Sequence, residues 1–537
     1  MINLTERKSM PDISTMSLRD KINQTIVVKM ANNKKIDFCP GGAFFFGEII
    51  TEADETGLDE LRGYVTDMLE SCHIPPLITS DFENGCGSMV KGLTPLPYMM
   101  GLGATDDPQL AYDYGRATAL EARSVGANWT YSPVCDLNKN RRNPLVNNRA
   151  LTDDEQLGCK LLPRIVRGMQ ENGLVACAKH FPGDGMDYRD QHITTTVNSL
   201  NMEEWYKSFG AVYKSLIDAG VQTVMAGHIS LPDYPQELSE RFQMALPATL
   251  SKELITTLLK GELGFDGIVV TDSLSGMGGF QGWYDTHEKS EIESFKAGCD
   301  MLLWPSENYA DNLEKAILSG EVPMERLNDA VTRILRVKQK AGLFDENYEQ
   351  FEPISEQDRA FINQVQQRCS EKSITLIRDI PKNFPLCLDR VHRIGIVVVT
   401  EHMPAKQEAY VMKEEFEKRG FEVDYYDETI GRPWNRKQFF ADNDLIIYAL
   451  FSRPFRPKGF IDFHGTRASL LGTAFKEDYA VDKTIFVSFG SPYFGGQYLE
   501  RAQTYVNAYS MLGCVAKAFV RAACGEIEFE GKSPVKL

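Results

Sequence analysis

Eight short apolar runs lie between Thr25 and Leu303, and amphipathic helical stretches separate them. Their length and their content of β-branched residues are typical of buried parallel strands. A strand, a helix and a second parallel strand make one βαβ unit, and repetition of this unit closes eight strands into a barrel. The sequence therefore predicts an α/β fold with a (β/α)8 barrel of the TIM type, whose strands lie at Thr25–Val28, Gly42–Phe46, Pro76–Thr79, Ala127–Pro133, Leu174–Ala178, Val221–Ala226, Ile268–Thr271 and Met301–Leu303.

A smaller α/β domain is predicted after the barrel. The barrel pattern ends with a helix near Met324–Ala341, the stretch Asn347–Glu356 is polar, and a helix is expected around Gln357–Leu376. Further apolar runs then alternate with helical segments, as in a parallel α/β layer, at Ile394–Val399, Phe421–Tyr425, Leu445–Leu450 and Thr484–Phe489. We predict a barrel domain at 1–346, a linker and connecting helix at 347–380, and an α/β sandwich domain at 381–537.

The charge of the chain argues against nucleic acid and anionic membranes as partners. There are 58 Lys and Arg residues against 75 Asp and Glu residues, a net charge of −17, and the basic residues are not clustered. No apolar run approaches the roughly 20 residues of a membrane-spanning helix. The N-terminal stretch also lacks the apolar core of a secretory signal. We therefore expect a cytoplasmic protein.

The cysteines and the glycine-rich turns give no sign of a metal or a cofactor. The eleven cysteines are an odd number without a C-x-x-C pair, which fits reduced thiols better than disulfides or structural zinc. The turn at Gly490–Gly496 lacks the lysine of a phosphate-binding loop and the G-x-G-x-x-G spacing. We expect no cofactor.

The segment from Lys179 to His192, KHFPGDGMDYRDQH, carries residues suited to acid–base chemistry. Asp190 precedes His192 by two residues, so in an extended segment both side chains lie on one face. A carboxylate there accepts the imidazole N–H, fixes the tautomer and holds the basicity of the ring near neutral pH. The pair is therefore a candidate general acid and base, although an isolated D-x-H also occurs in ordinary surface loops.

A second candidate residue stands at the end of a predicted strand. The run GFDGIVVTDS, Gly264–Ser273, is apolar and β-branched and ends on Asp272. A carboxylate in this place either caps a following helix or takes part in chemistry. The local sequence leaves both interpretations open.

The Lys179–His192 segment resembles the signature of glycoside hydrolase family 3, in its β-N-acetylglucosaminidase subgroup, K-H-[FI]-P-G-[HL]-G-x-x-x-x-D-[ST]-H. Asp184 and Gln191 depart from that signature, and Met186 and Asp187 stand where the family often has D-T. The matching positions are Lys179, His180, Phe181, Pro182, Gly183, Gly185, Asp190 and His192.

The run that ends on Asp272 is similar to the family block V-V-[TS]-D-x-L-S-M-x-G, with Gly276 inserted before Met277. The resemblance implies that Asp272 is the nucleophile and that His192, held by Asp190, is the acid and base of a double displacement. An imidazole in this role distinguishes the subgroup from the β-glucosidases of the family.

The resemblance also implies several sugar ligands. The stretch Ile78–Gly85 is similar to the family block D-x-E-G-G-R, which makes Asp81 a sugar ligand, although the Arg of that block falls on Cys86. Arg149 matches the Arg of an x-R-S-F element and would hold a substrate hydroxyl or the N-acetyl group. Lys179 and His180 of the signature would also bind the sugar.

His228 lies two residues after the end of the strand-like run Val221–Ala226, near the same end of the predicted barrel. We count it among the substrate-binding candidates, with a structural role as an equal alternative.

These residues predict a glycoside hydrolase, a retaining exo-acting β-N-acetylglucosaminidase that removes terminal β-linked GlcNAc from cell-wall fragments or chitooligosaccharides. Its predicted role is cell-wall recycling, its partner is a small carbohydrate substrate, and it is a monomer or a homodimer. The alternative is a β-glucosidase or other β-hexosidase of the family, because the positions of Asp184, Met186 and Cys86 depart from the family pattern. The resemblance also leaves open a variant that transfers the sugar to phosphate, as some relatives do.

Two other classes of function deserve comparison. A metal-dependent hydrolase would use His180, Asp184, Asp187, Asp190 and His192, but their spacing is unlike H-E-x-x-H. A catalytically silent sugar-binding protein would not need Asp272, Asp190 and His192 together.

Overall fold

The structure is a computed structural model that describes residues 9–30, 36–400, 405–427, 435–454, 459–463, 465–475 and 480–537. The expectation about the secretory signal rests partly on residues 1–8, which lie outside the described residues. No helix in the described part of the chain has both the length and the apolar character needed to cross a membrane.

All eight predicted barrel strands are confirmed, with shifts at their ends. The run predicted at Ala127–Pro133 forms a strand of only two residues, Trp129–Thr130. The barrel strands are β1 (Ile26–Lys29), β2 (Gly42–Phe44), β3 (Leu77–Ser80), β4 (Trp129–Thr130), β5 (Cys177–Phe181), β7 (Thr223–Ala226), β9 (Ile268–Thr271) and β10 (Leu302–Leu303). Two further strands, β6 (Thr196–Val197) and β8 (Ile229–Ser230), pair with each other outside the barrel.

The eight strands form a closed parallel ring. Continuous ladders join β10, β1, β2, β3 and β4, and a second set joins β5, β7 and β9. Isolated bridges close the two gaps, from Trp129 to Val175 and from Val270 to Met301. At these gaps Thr130 N–H donates to the Val175 carbonyl (2.9 Å) and Thr271 N–H to the Met301 carbonyl (3.0 Å). All strands therefore end at the same rim of the barrel.

Helices surround this ring, but the connection from β1 to β2 contains no helix in its described residues, 30 and 36–41. The chain enters the barrel after α1 (Leu18–Gln24), and the closing helix predicted near Met324–Ala341 is confirmed at Met324–Lys340. The other helices are α2 (Glu55–Glu70), α3 (Met99–Thr105), α4 (Pro108–Ser124), α5 (Glu155–Gln170), α6 (Met202–Lys207), α7 (Phe209–Asp218), a π-helix (Glu253–Glu262), α8 (His287–Ala297), α9 (Tyr309–Leu318) and α10 (Met324–Lys340).

Within the described residues the second sheet has six strands, in the order β11-β16-β15-β14-β12-β13, and among these only β11 is antiparallel to its neighbour. Its strands are β11 (Thr375–Asp379), β12 (Arg393–Thr400), β13 (Glu422–Tyr426), β14 (Leu445–Phe451), β15 (Thr484–Ser488) and β16 (Thr504–Asn507). Its helices are α12 (Ala405–Glu417), α13 (Arg436–Asp442), α14 (Gly465–Gly472), α15 (Phe494–Gln497) and α16 (Gly513–Ala523).

The four strands predicted for this sheet are confirmed, whereas β11 and β16 were not predicted. The connecting helix is α11 (Glu356–Ser373), which stops before the predicted end at Leu376. The chain then enters β11, because Thr375 and Leu376 pair with β16. The second sheet thus begins inside the stretch 347–380, and the three-part division of the chain stays a prediction.

The second sheet and the C-terminal tail pack against the loops at the rim of the barrel. Asn148 Nδ2 donates to the Tyr509 carbonyl (2.9 Å), and Tyr98 N–H donates to Ser510 Oγ (2.8 Å). Asn148 precedes Arg149, a predicted sugar ligand, so this contact fixes the segment that carries it.

A hydrogen bond inside the barrel offers a test of its core. Trp129 Nε1 on β4 donates to Thr223 Oγ1 on β7 (2.9 Å), and both residues are fully buried. We expect Thr223→Val to lower the free energy of unfolding by about 1–3 kcal/mol, because it leaves the indole N–H buried without a partner. Urea unfolding measures the change. A loss below about 0.5 kcal/mol, the size of an ordinary surface substitution, would contradict this role for the bond.

Candidate functional site

A cavity of about 190 Å³ lies at the carboxyl end of the barrel strands. It brings together six of the eight predicted site residues, although they are far apart in sequence. These six are Asp81, Arg149, Lys179, His180, His192 and Asp272.

Asp272 follows β9 directly and reaches the cavity with 14% of its side chain exposed. Its Oδ1 accepts the Ser273 N–H at 2.7 Å, and its Oδ2 lies 4.0 Å from His180 Nε2. Burial by itself would raise the pKa of Asp272, but the nearby imidazoles, His180 foremost, and the Ser273 N–H outweigh it and lower that pKa. The carboxylate is therefore ionised at neutral pH, as a nucleophile must be.

His192 lines the cavity, and Asp190 lies buried behind it. The Asp190 Oδ1 atom is 2.7 Å from His192 Nδ1 and accepts the backbone N–H of His192 at 2.8 Å. With Nδ1 donating to the carboxylate, Nε2 is the ring atom that can exchange a proton with a substrate. The geometry predicted for the pair is therefore present.

The loop that carries His192 is tied to the loop that follows Asp272. Gly278 N–H donates to the His192 carbonyl (2.9 Å), and Gly279 N–H donates to the Gln191 carbonyl (3.1 Å). A Cβ atom on Gly278 would lie 2.1 Å from the Ile193 carbonyl oxygen, so a side chain there would separate the two loops. The two candidate reactive groups are thus held in one unit.

Four charged side chains form a network on another part of the wall. Lys179 Nζ lies 2.8 Å from Asp81 Oδ1 and 2.7 Å from Glu83 Oε1. Arg149 donates to both oxygens of Glu83, at 2.8 and 2.9 Å. Burial would raise the pKa of Glu83, but Arg149 and Lys179 hold it well below its usual range. The charges are paired and fixed, which presents oriented donors and acceptors to a polar ligand.

His180 is held in the same way by a carboxylate. Its Nδ1 lies 2.7 Å from Asp136 Oδ2, and its backbone N–H donates to Asp136 Oδ1 at 3.1 Å. This leaves Nε2 of His180 directed toward Asp272.

Asp184, which departs from the family signature, lies buried beside Asp136. Its N–H donates to Asp136 Oδ1 (2.7 Å), and its Oδ1 accepts from Asn143 Nδ2 (3.0 Å). Its Oδ2 has no hydrogen-bond partner among the described residues. Burial first, and then the charge of Asp136, raise the pKa of Asp184 to about 7.

His228 does not line the cavity, which corrects its assignment as a substrate ligand. The residue is fully buried, its Nδ1 lies 3.0 Å from Thr249 Oγ1, and its Nε2 lies 3.0 Å from the Ser273 carbonyl oxygen. Both ring nitrogens are engaged, and burial lowers its pKa. The structure supports the structural alternative, in which His228 fixes the residue after Asp272.

Three further residues belong to the site or orient its side chains. Glu83 joins the Lys179 network, Asp136 orients His180, and Trp304 follows β10 into the cavity. Glu83, Asp136 and Trp304 each follow a predicted strand within a few residues, which is the sequence signal for a residue at this rim of the barrel.

No group of three or more His, Cys, Asp or Glu side chains in the described residues could hold a metal ion. His180 and His192, which the metal-hydrolase hypothesis joined at one centre, are each paired with a separate carboxylate.

Comparison with known proteins identifies related chains. The model of the glycosyl hydrolase family 3 N terminal domain matches residues 17–337. A protein of Cellulomonas fimi described as a beta-N-acetylglucosaminidase/beta-glucosidase is 31% identical over 495 residues, which cover 88% of this chain and 85% of that protein.

Two solved structures share the architecture over nearly the whole chain. The beta-glucoside phosphorylase BglX bound to 2FGlc has a TM-score of 0.84 at 29% identity. The match covers 97% of this chain and 95% of the BglX chain. A family 3 beta-N-acetylglucosaminidase from Paenibacillus sp. str. FPU-7 has a TM-score of 0.80 at 26% identity. The match covers 97% of this chain and 99% of that chain.

The raised pKa of Asp184 predicts a dependence of stability on pH. The native carboxyl keeps its proton up to a pKa of about 7, whereas the unfolded one loses it near pH 4. The unfolded state binds fewer protons between these values, so this group makes the free energy of unfolding fall as pH rises from about 4 to about 7. Asp184→Asn removes this contribution, of the order of a few kcal/mol. Urea unfolding at several pH values tests this, and parallel profiles for the two proteins would contradict it.

Proposed function

The chain belongs to glycosyl hydrolase family 3 and is a glycoside hydrolase, and we propose that it is a retaining exo-acting β-N-acetylglucosaminidase. The observation that carries the proposal is the placement of Asp272 and the Asp190–His192 pair around one cavity. A double displacement needs two groups next to the same glycosidic bond, an ionised carboxylate and a proton donor.

In the first step, Asp272 Oδ2 attacks the anomeric carbon through an oxocarbenium-like transition state. Positive charge develops on the sugar, and the ionised carboxylate stabilises it before the covalent bond forms. His192 gives the proton on Nε2 to the leaving oxygen, so the leaving group departs as a neutral alcohol. The resulting imidazole is neutral, and Asp190 keeps Nδ1 protonated.

In the second step, His192 Nε2 accepts a proton from water as the water attacks the anomeric carbon and the bond to Asp272 breaks. The sugar leaves with its original configuration, and His192 is protonated again for the next cycle. Asp190 is a positioning residue in both steps because it holds the ring through Nδ1.

The dimensions and the charges of the cavity support action on a terminal sugar. Its volume of about 190 Å³ lies below the ~300–1,000 Å³ of drug-sized ligand pockets, so it suits one sugar residue. Asp81 and Lys179 offer an acceptor and a donor to its hydroxyl groups, and Arg149 lies on the same wall. We propose terminal β-linked GlcNAc of cell-wall fragments or chitooligosaccharides as the substrate, in a cytoplasmic monomer or homodimer.

A second candidate function rests on the named relatives. The Cellulomonas fimi protein carries both β-N-acetylglucosaminidase and β-glucosidase in its description, and BglX is described as a β-glucoside phosphorylase. A β-glucosidase activity, or transfer of the sugar to phosphate, is therefore the alternative. Phosphate would take the place of water in the second step.

Substitution of the reactive groups tests the mechanism. We expect Asp272→Ala to lower kcat/KM by at least a thousandfold on every substrate, because it removes the nucleophile. His192→Ala should lower kcat/KM about 10²–10⁴-fold for sugar leaving groups but much less for 4-nitrophenol, which leaves without a proton. Asp266→Ala is the matched control, because Asp266 lies two residues before β9, the strand that Asp272 follows, and 72% of its side chain is exposed. Equal losses for His192→Ala on both kinds of leaving group would contradict its role as the acid.

Substrate preference separates the two candidate functions. We expect faster release of 4-nitrophenol from the β-N-acetylglucosaminide than from the β-glucoside, and a free reducing sugar as the product in phosphate buffer. The measurement is kcat/KM for both substrates, with the product identified by NMR. Preference for the glucoside would support the β-glucosidase alternative, and a sugar 1-phosphate product would support the transfer alternative.

A further inference from the structure

A second and larger cavity, of about 580 Å³, adjoins the first. The two cavities share His192, Ser275, Gly276 and Trp304 as lining residues. Gly276, the insertion relative to the family block, adopts a φ of +85° that favours glycine, and a Cβ there would meet nothing within 4 Å. The proton donor of the proposed reaction therefore lies at the junction of two spaces.

The second cavity has a polar wall held together by a buried carboxylate. His287 Nε2 lies 3.2 Å from Glu291 Oε1, and Ser306 Oγ donates to Glu291 Oε2 at 2.6 Å. Glu291 is fully buried, whereas Gln281, His287 and Ser306 line the cavity. Gln281 Nε2 donates to the Leu274 carbonyl at 3.0 Å, and Gln281 Oε1 lies 3.2 Å from His287 Nδ1. One network thus fixes three side chains from three separate segments.

His287 lies between two oxygen acceptors in this network. Glu291 Oε1 lies beside its Nε2 and Gln281 Oε1 beside its Nδ1, an arrangement that favours the protonated ring. The hydrogen bond to Glu291 raises the pKa of His287 above its ordinary value. None of the described residues that line this cavity is acidic.

Trp304 supplies an aromatic surface to both cavities. Its φ of +57° is rare for a bulky residue, and such conformations persist where the surrounding structure holds them. The rings of Phe44 and Phe46 lie 5.2 and 5.3 Å from its indole. Its position is thus fixed by packing.

We propose that the second cavity binds the leaving group, and that Gln281 and His287 select a leaving group that is itself a sugar. This inference rests on the proposed function, because a group that takes its proton from His192 must lie beside that residue. A pyranose offers hydroxyl oxygens to the cavity's polar wall and C–H faces to an indole. An aryl or alkyl group can use only the apolar surface.

The same cavity would receive a sugar that attacks the glycosyl-enzyme in place of water. Gln281 and His287 therefore act on steps that involve a second sugar, and hydrolysis of the glycosyl-enzyme by water does not depend on them. A substitution that slows only the steps with a second sugar therefore marks a specificity residue, whereas loss of a residue that only supports the fold would slow both kinds of step.

The test compares the wild type with Gln281→Ala and His287→Gln on a disaccharide and a 4-nitrophenyl glycoside of the same terminal sugar. Gln281 is exposed, so its substitution leaves the fold intact. We expect the ratio of kcat/KM for the disaccharide to that for the aryl glycoside to fall about tenfold in each variant, the size of one or two lost hydrogen bonds. Gln438→Ala, at an exposed position of α13 beside the second sheet, should leave the ratio unchanged.

A second measurement follows the trapped intermediate. The glycosyl-enzyme formed with a 5-fluoro glycosyl fluoride should be reactivated by water at wild-type rates in Gln281→Ala, whereas its acceleration by added acceptor sugar should fall about tenfold. An unchanged substrate ratio, or unchanged acceleration by the acceptor, would overturn the leaving-group site while leaving the proposed function intact. A wild type inactive on both β-glycosides would overturn the proposed function, and this inference with it.

Discussion

Closure of eight parallel strands into one ring decides where each charged side chain of the site lies. Parallel strands in a closed barrel all end at the same rim, so residues that follow different strands become neighbours. Asp81 follows β3, Lys179 lies in β5 and Asp272 follows β9, yet all three line one cavity. The two gaps closed by isolated bridges are therefore as important to the site as the continuous ladders.

The electrostatics of the cavity divide its acids into two kinds. Asp81 and Glu83 are neutralised by Lys179, and Glu83 also by Arg149, so they serve as fixed hydrogen-bonding groups. Burial would raise the pKa of Asp272, but its neighbours in the cavity are imidazoles, His180 foremost, and these lower that pKa without a permanent ion pair. A carboxylate in that setting stays ionised and still free to form a bond.

Much of this arrangement could be predicted from the sequence, for identifiable reasons. Buried parallel strands are continuous apolar runs, so all eight barrel strands were found. The strands β11 and β16 have mixed sequences, TLIRD and TYVN, and they become strands because β11 pairs with β16 and β16 also pairs with β15, which local sequence does not reveal. The Arg149–Glu83 pair joins residues 66 positions apart, and the orientation of His228 depends on Thr249 and on the Ser273 carbonyl. Contacts of this kind are set by the assembled fold.

The most direct test of the account is to identify the residue that bears the sugar in the glycosyl-enzyme. The protein is incubated with the 5-fluoro β-glycosyl fluoride of N-acetylglucosamine, digested, and analysed by tandem mass spectrometry. The account predicts one added glycosyl group, attached to Asp272. A label on another carboxylate, or turnover without a covalent intermediate, would contradict the assignment of Asp272 as the nucleophile of a retaining reaction.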